Sequence, residues 1–161
     1  MGNIKIQVLD SKGKFTEETY SLLSILYEKL KLMGDNLLYD SLSFDFKYEK
    51  DYARIDLISR DRKRLNFQIE IFDGFVEIFI DKGEELLLAY KFDDIKTAST
   101  YFDNCLKSTV QVKYSHGKDG QLKSTSYKFL INNHTKITVG TNSIISIFLN
   151  KETKIFEPWI S

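Results

Sequence analysis

Residues 67–80 have the sequence FQIEIFDGFVEIFI, in which two runs of alternating apolar side chains lie on either side of Asp73 and Gly74. Asp-Gly between such runs is the strongest local signal for a two-residue β-hairpin turn, because both turn residues need positive φ. The turn predicts a register in which apolar residues face one another: Ile71 with Val76, Ile69 with Ile78, and Phe67 with Ile80. Turn chemistry and hydrophobic pattern therefore agree.

The same two-residue period extends from Ser43 to Phe92, which predicts about five antiparallel strands. If the loop around Asp61 keeps Leu57 opposite Leu65, Arg54 lies diagonal to Glu70. A later hairpin is expected to place Tyr127 opposite Val139 and Phe129 opposite Ile137. Ile4, Ile6 and Val8 also alternate, which predicts a first strand near the start of the chain.

Two segments have helical spacing instead. The first runs from about 16 to 33, with Thr16 as its N-cap, and the second from about 94 to 107, after Asp93 or Asp94. The second carries a predicted apolar stripe of Ile95, Ala98, Phe102 and Cys105. We therefore predict an α+β fold, a curved antiparallel β-sheet of meandering hairpins packed against these two amphipathic helices. Residues 1–161 are expected to form a single domain, with a division into helix-plus-meander halves 1–92 and 93–161 left open.

Composition excludes several classes of function. The 23 Lys and Arg balance the 23 Asp and Glu, which argues against a nucleic-acid binder and against a polybasic membrane-surface protein. A single cysteine, Cys105, allows no intrachain disulfide and indicates a reducing compartment. The sequence contains no signal-peptide pattern and no apolar run of about 18 residues. A cytoplasmic protein with neither nucleic-acid nor membrane partners is expected.

Residues with catalytic or metal-binding chemistry are sparse. His116 and His134 lie in predicted turns, and neither has a second ligand at metal-binding spacing. Cys105 falls on the apolar stripe of the second helix, where a thiol packs as a small hydrophobe. Neither helix follows a phosphate-binding glycine loop. We therefore expect no catalytic residues, no metal site and no cofactor.

One face of the predicted sheet combines acidic and aromatic side chains. In the register set by Asp73-Gly74, Glu70 lies directly opposite Glu77, and like charges so placed destabilise a sheet. The candidate partner-binding residues on this face are Glu70, Phe72, Phe75, Glu77 and Phe79. Three interpretations stay open: a solvated face on which Arg54 and Lys47 neutralise the acids, a protein-binding face, and a paired-carboxylate acid/base site. The basic residues at 60–64 are interpreted as a solvated turn.

Three stretches resemble a known group of proteins in overall build. Residues 75–81 (FVEIFID) and 86–92 (LLLAYKF) are predicted strands, and 93–98 (DDIKTA) begins the second helix ahead of Tyr101 and Phe102. A strand pair followed by an acidic helix start resembles the small cytoplasmic immunity proteins that bacteria encode beside polymorphic toxins. The resemblance covers about a third of the chain, includes no signature motif and implies inhibition of a toxin by surface complementarity.

The sequence thus leaves two classes of function. The first is a non-catalytic module that binds another protein, such as a toxin or another cytoplasmic partner, through a sheet face. The alternative is a small-molecule-binding protein or enzyme that uses a cavity between the curved sheet and a helix. A flat aromatic patch favours the first class, and a deep pocket with inward polar groups favours the second.

Overall fold

A computed structural model describes residues 4–34, 41–80, 85–91, 94–140 and 149–160. The helical elements in these ranges are α1 (Ile4–Asp10), α2 (Glu17–Leu30), α3 (Ile95–Leu106) and short 3-10 turns at Lys31–Met33 and Tyr48–Lys50. The strands are β1 (Leu42–Lys47), β2 (Tyr52–Leu57), β3 (Phe67–Phe72), β4 (Phe75–Ile80), β5 (Glu85–Lys91), β6 (Thr109–His116), β7 (Leu122–Ile131), β8 (His134–Gly140) and β9 (Asn150–Phe156).

The predicted α+β class is confirmed, and the strands form two sheets where the sequence suggested one. A five-stranded antiparallel sheet has the order β1-β2-β3-β4-β5, and a four-stranded antiparallel sheet has the order β8-β7-β6-β9. In the first sheet every neighbour is also the next strand in the chain, as expected for meandering hairpins. The hydrophobic period identifies strands but does not show where one sheet ends, because that depends on long-range pairing.

The chain divides into two compact units. Unit 1 comprises Met1–Asp103 with Ile160–Ser161, and unit 2 comprises Asn104–Trp159. The five-stranded sheet belongs to unit 1 and the four-stranded sheet to unit 2. The predicted single domain over 1–161, and the alternative halves 1–92 and 93–161, stay predictions.

The segment 4–10 forms α1, so the strand predicted from Ile4, Ile6 and Val8 is wrong. Ile4 and Val8 are both buried. Their spacing of four residues places them on one face of a helix just as well as on one face of a strand, so a run this short does not distinguish the two periods. Ser11 follows the helix and its hydroxyl donates to the Val8 carbonyl at 2.7 Å.

Both predicted longer helices are confirmed. The Thr16 side-chain oxygen caps α2 by accepting a hydrogen bond from the Thr19 N–H at 3.3 Å. The Asp94 carboxylate caps α3 in the same way, accepting from the Thr97 N–H at 2.8 Å. On α3 the predicted apolar stripe is buried at Ala98, Phe102 and Cys105, whereas Ile95 at its first position is 55% exposed.

In unit 1, α2 packs against β2 and β3. The sheet's buried face is built from alternate residues of three strands: Ala53, Ile55, Leu57, Phe67, Ile69, Ile71, Val76, Ile78 and Ile80. The predicted β3–β4 register is confirmed, with Ile71 opposite Val76, Ile69 opposite Ile78 and Phe67 opposite Ile80. Asp73 and Gly74 both have positive φ, at 46° and 75°, as the hairpin turn requires.

The β2–β3 register differs from the predicted one by two residues. Leu57 lies opposite Phe67 rather than Leu65, and Arg54 lies directly opposite Glu70 rather than diagonal to it. The longer loop is held by a side chain, because the Asn66 amide oxygen accepts from the Ser59 N–H at 2.8 Å. No local sequence pattern indicates such a contact.

In unit 2, the β7–β8 hairpin has the predicted pairing of Tyr127 with Val139 and Phe129 with Ile137. Its turn consists of Asn132 and Asn133, which both have positive φ. A register shift between Phe129 and Leu130 leaves one residue of β8 without a partner on β7, and beyond this shift the predicted pairing holds. The core of this sheet includes Val110 and Val112 of β6 with Tyr127 and Phe129 of β7.

A single carboxylate, that of Asp51, joins three segments of unit 1. It accepts hydrogen bonds from the Thr16 N–H at 2.8 Å and the Thr16 hydroxyl at 2.7 Å. It also accepts from the Thr19 hydroxyl at 2.8 Å and the Asp73 N–H at 3.2 Å. Asp51 itself lies in the left-handed region, with φ of 48°, between β1 and β2. The start of α2, the turn before β2 and the turn after β3 are therefore joined through one acceptor, the Asp51 carboxylate.

We expect Asp51→Asn to lower the free energy of unfolding by about 1–3 kcal/mol, because the amide nitrogen cannot accept the hydrogen bonds that one carboxylate oxygen now accepts. Asparagine tolerates positive φ, so the backbone conformation is retained. Urea denaturation at pH 7 measures the loss. Asp45→Asn is the matched control, since Asp45 only pairs with exposed Lys47 at 3.2 Å, and we expect a change of about 0–1 kcal/mol.

The loss caused by Asp51→Asn also depends on pH. Partial burial by itself raises the pKa of Asp51, but the hydrogen bonds from Thr16, Thr19 and Asp73 together lower it below the usual 3.8. A lowered pKa in the folded state means that the stabilisation is present above about pH 4 and disappears as pH falls through the folded value. A wild-type-minus-variant difference that is the same at pH 7 and pH 2 contradicts this assignment.

Candidate functional site

The side of the five-stranded sheet opposite its buried face is termed the outer face. The registers of β1 to β4 arrange it in three rows, each crossing these four strands. The aromatic row is Lys47, Tyr52, Phe72 and Phe75; the acidic row is Asp45, Arg54, Glu70 and Glu77; the third row is Ser43, Asp56, Gln68 and Phe79. All five residues predicted as a partner-binding site thus lie on one face, in adjacent rows.

Glu70 and Glu77 are direct cross-strand partners, as the Asp73-Gly74 turn predicted. Arg54 is the next residue in the same row, on β2. Its guanidinium Nε nevertheless donates to the Asp56 carboxylate, at 2.9 Å and 3.2 Å. The Lys47 ammonium likewise pairs with Asp45 at 3.2 Å. Both cations expected to neutralise the glutamate pair therefore bind aspartates of their own strands.

Glu70 is held by two neutral donors. The Gln68 amide donates to one carboxylate oxygen at 2.7 Å, and the Tyr52 hydroxyl forms a further hydrogen bond with this carboxylate. Burial of Tyr52 and that hydrogen bond, with the nearby Glu70 charge, raise the pKa of Tyr52 to about 12. These two donors fix the Glu70 carboxylate in place.

Glu77 is only half-buried, and no donor to its carboxylate is present among the residues that the structure describes. Its negative charge lies across the strand from that of Glu70. Like charges at a direct cross-strand pair destabilise a sheet by up to about 1 kcal/mol. With respect to the described residues, the Glu77 carboxylate therefore has an unused capacity to accept hydrogen bonds from a cation.

The aromatic side chains lie next to this pair. Phe72 and Phe75 stack, with ring centroids 5.9 Å apart and an interplanar angle of 14°. Phe75 is 36% exposed, and Phe72 and Phe79 are half-buried. The outer face thus offers aromatic side chains on two sides of the acidic pair, and aromatic residues are enriched in protein interfaces.

Tyr52 is the residue of this face that the sequence interpretation missed. The sequence does indicate that Tyr52 lies on this face. Successive side chains of a strand point to opposite sides of the sheet, and Tyr52 alternates with the buried residues Ala53 and Ile55. Its hydrogen bond to Glu70 was not predictable, since it depends on the β2–β3 register. The same register places Arg54 opposite Glu70, although its guanidinium binds Asp56.

A pocket of about 230 Å³ lies elsewhere in unit 1. Its lining residues come from α2, the β3–β4 turn and the start of α3: Glu17, Glu18, Ser21, Leu22, Gly74, Asp94 and Ile95. The volume falls below the roughly 300–1,000 Å³ of typical small-molecule sites. It is therefore unlike the deep cavity between sheet and helix that the small-molecule alternative requires.

The residues with nucleophile or metal-ligand chemistry are separated from one another. Burial raises the pKa of the Cys105 thiol to about 12, which keeps it protonated. His116 ends β6 and His134 begins β8, so the two histidines lie at opposite ends of the four-stranded sheet rather than in turns. Within the described ranges, no group of three or more His, Cys, Asp or Glu side chains is arranged to hold a metal ion.

Comparison with protein-family models, with curated proteins and with solved structures finds no match to this chain. Among the helices in the described ranges, none has the length and apolar character to span a membrane. The resemblance to immunity proteins accordingly rests on residues 75–102 alone.

The raised pKa of Tyr52 can be measured by ultraviolet titration of the tyrosinates. Subtracting the titration of Tyr52→Phe from that of the wild type isolates one phenol, whose midpoint is expected at about 12 when folded and at about 10 in urea. Because the folded pKa is raised, the stabilisation by this phenol is complete below pH 10 and is lost as pH rises through 12.

Glu70→Gln provides the test of cause in the same titration. It removes the charge but leaves burial unchanged, so the Tyr52 midpoint should fall only part of the way toward 10. A midpoint near 10 in the wild-type protein, or one that does not move in Glu70→Gln, contradicts the described contact.

Proposed function

We propose that this chain is a non-catalytic protein-binding module that binds a partner protein through the outer face of its five-stranded sheet. The observation that supports the proposal is the cross-strand Glu70–Glu77 pair, since Arg54 and Lys47 form their ion pairs with Asp56 and Asp45 instead. Such a face is complementary to a partner that presents a Lys or Arg side chain with apolar surface around it.

Aromatic side chains supply the apolar part of this binding face. Flat rings bury a large area at a low cost in conformational entropy, and aromatic anchors dominate the binding energy of many interfaces. Phe72 and Phe75 are already stacked on each other, so their rings need little ordering on binding. Phe79 lies in the row on the other side of the acidic pair.

The specific role that we propose is that of an immunity-type inhibitor in the bacterial cytoplasm, which binds a toxin and blocks it by surface complementarity. The build of residues 75–102 supports this role. In this role the chain needs no cofactor, metal or catalytic group. A toxin gene immediately upstream in the genome would support the proposal, and a metabolic operon would argue against it.

Affinity capture from the native host, followed by binding measurements with the isolated partner, tests the proposed face. We expect Phe75→Ala and Phe79→Ala each to weaken partner affinity by about tenfold to a hundredfold, measured by calorimetry. The matched control is Leu122→Ala, which removes an apolar side chain that is 54% exposed on β7. Binding that is weakened equally by the control, or that survives both Phe variants, contradicts the proposal.

Glu77→Gln separates a binding role from a structural one. Because it removes a like-charge contact with Glu70, we expect the variant to unfold at a higher urea concentration while binding the partner more weakly. Glu49→Gln, at an exposed site in the 3-10 turn Tyr48–Lys50, should change neither property. A Glu77→Gln protein that loses stability, or that binds with unchanged affinity, contradicts a role for this carboxylate in binding.

For the immunity role, the decisive assay is growth. The captured partner should inhibit bacterial growth when expressed alone and should not do so when co-expressed with the wild-type chain. Co-expression with a chain carrying both Phe75→Ala and Phe79→Ala should fail to protect. A partner that has no effect on growth would contradict the proposal that the partner is a toxin. It would not contradict the proposal that the chain binds a partner protein.

A further inference from the structure

The strand β9 lies at one edge of the four-stranded sheet. It pairs with β6 over its whole length, from Asn150 opposite His116 to Phe156 opposite Val110, without a register shift. Its other edge has no strand beside it among the residues that the structure describes. A regular strand with one unpaired edge presents a row of N–H and C=O groups that can bind a further strand.

β9 is also exposed on both of its faces. All its residues from Asn150 to Ile155 are exposed, and Ile155 is 70% exposed. Glu152 and Lys154 lie on the same face, where the Lys154 ammonium is 3.6 Å from the Glu152 carboxylate and both side chains are 55% exposed. Opposite charges two residues apart on one face make this strand complementary to an antiparallel copy of itself.

We propose that β9 is a self-association edge, at which two copies of this chain pair antiparallel around a two-fold axis through Thr153. In that register Glu152 of each copy lies directly opposite Lys154 of the other, so two cross-strand ion pairs form. Lys151 lies opposite Ile155 and Asn150 opposite Phe156, which brings no like charges together. The two four-stranded sheets then form one continuous eight-stranded sheet.

Neighbouring registers are excluded by charge. An axis through Glu152 places the two Glu152 carboxylates opposite each other, and an axis through Lys154 does the same to the two ammonium groups. Like charges directly opposite destabilise a strand pair, so of these three axes only the one through Thr153 pairs Glu152 with Lys154 and brings no like charges together. Charged residues commonly prevent pairing at sheet edges. Here their alternation excludes wrong registers and favours one.

The opposite edge of the same sheet lacks this regularity. β8 pairs with β7 through a register shift at Phe129 and Leu130, and such bulges twist an edge away from further pairing. The occupant favoured by the structure is therefore a second copy at β9, with matched length, direction and charge. The inference is independent of the outer face of the other sheet.

Analytical ultracentrifugation of the full chain tests the proposal without any other molecule. Across a range from about 10 µM to about 1 mM, we expect the mass to rise from the 18.8 kDa monomer toward twice that value. A protein that stays monomeric across this range overturns the proposal. Growth beyond the dimer also overturns it, because a two-fold axis closes the assembly at two copies.

Charge reversal tests the register. Glu152→Lys and Lys154→Glu should each weaken the dimer about tenfold or more, because each variant places like charges opposite each other at two symmetric positions. A mixture of the two variants should dimerise again, since a chain with Glu at both positions meets a chain with Lys at both. The mixture restores the contacts between chains without restoring the Glu152–Lys154 pair within either chain.

Lys128→Glu is the control for net charge. Lys128 is exposed on β7, a central strand, so the same reversal there should leave the dimer affinity unchanged. Circular dichroism checks that each variant is folded. Equal weakening by Lys128→Glu, no weakening by the β9 variants, or failure of their mixture to dimerise each overturns the proposed pairing.

Discussion

The carboxylate of Asp51 accepts hydrogen bonds from the start of α2 and from the turn between β3 and β4, and its own backbone forms the turn before β2. Tyr52 follows Asp51 in the chain. Asp73, whose N–H donates to the Asp51 carboxylate, lies between Phe72 and Phe75. This one acceptor therefore contacts the chain next to Tyr52 and between Phe72 and Phe75, three members of the aromatic row. A charged acceptor suits the position because it serves four donors that neutral side chains would satisfy less well.

The predictable parts of the fold are those in which local chemistry and hydrophobic pattern agree. Asp73-Gly74 requires a two-residue turn, and the alternation on both sides allows one register, so the β3–β4 pairing followed from sequence. α1 was not predicted, because the spacing of four positions from Ile4 to Val8 fits the period of a helix as well as that of a strand. The predicted β2–β3 register was also wrong. The loop between these strands is closed by a hydrogen bond between Asn66 and Ser59, which the hydrophobic period does not indicate.

The sequence predicted which side chains of the candidate site share one face of the sheet, but not which of them form hydrogen bonds or ion pairs with one another. Strand parity alone places Glu70, Phe72, Phe75, Glu77 and Phe79 on one side of the sheet. Which carboxylate an arginine binds is decided by short-range geometry within the folded sheet. Arg54 has Glu70 opposite it and Asp56 two residues away on its own strand, and it binds Asp56. The choice of Asp56 as the partner of Arg54 is therefore a property of the structure that the residue pattern could not supply.

The sequence separations in the Asp51 network bear on the entropic cost of forming its contacts. Thr16 and Asp51 are 35 residues apart, and Asp51 and Asp73 are 22 apart. The β3–β4 hairpin closes through a turn of two residues, and closing a short loop costs less entropy than closing a long one. The hairpin therefore closes at a lower entropic cost than the Asp51 contacts, which join segments of unit 1 that are distant in the sequence.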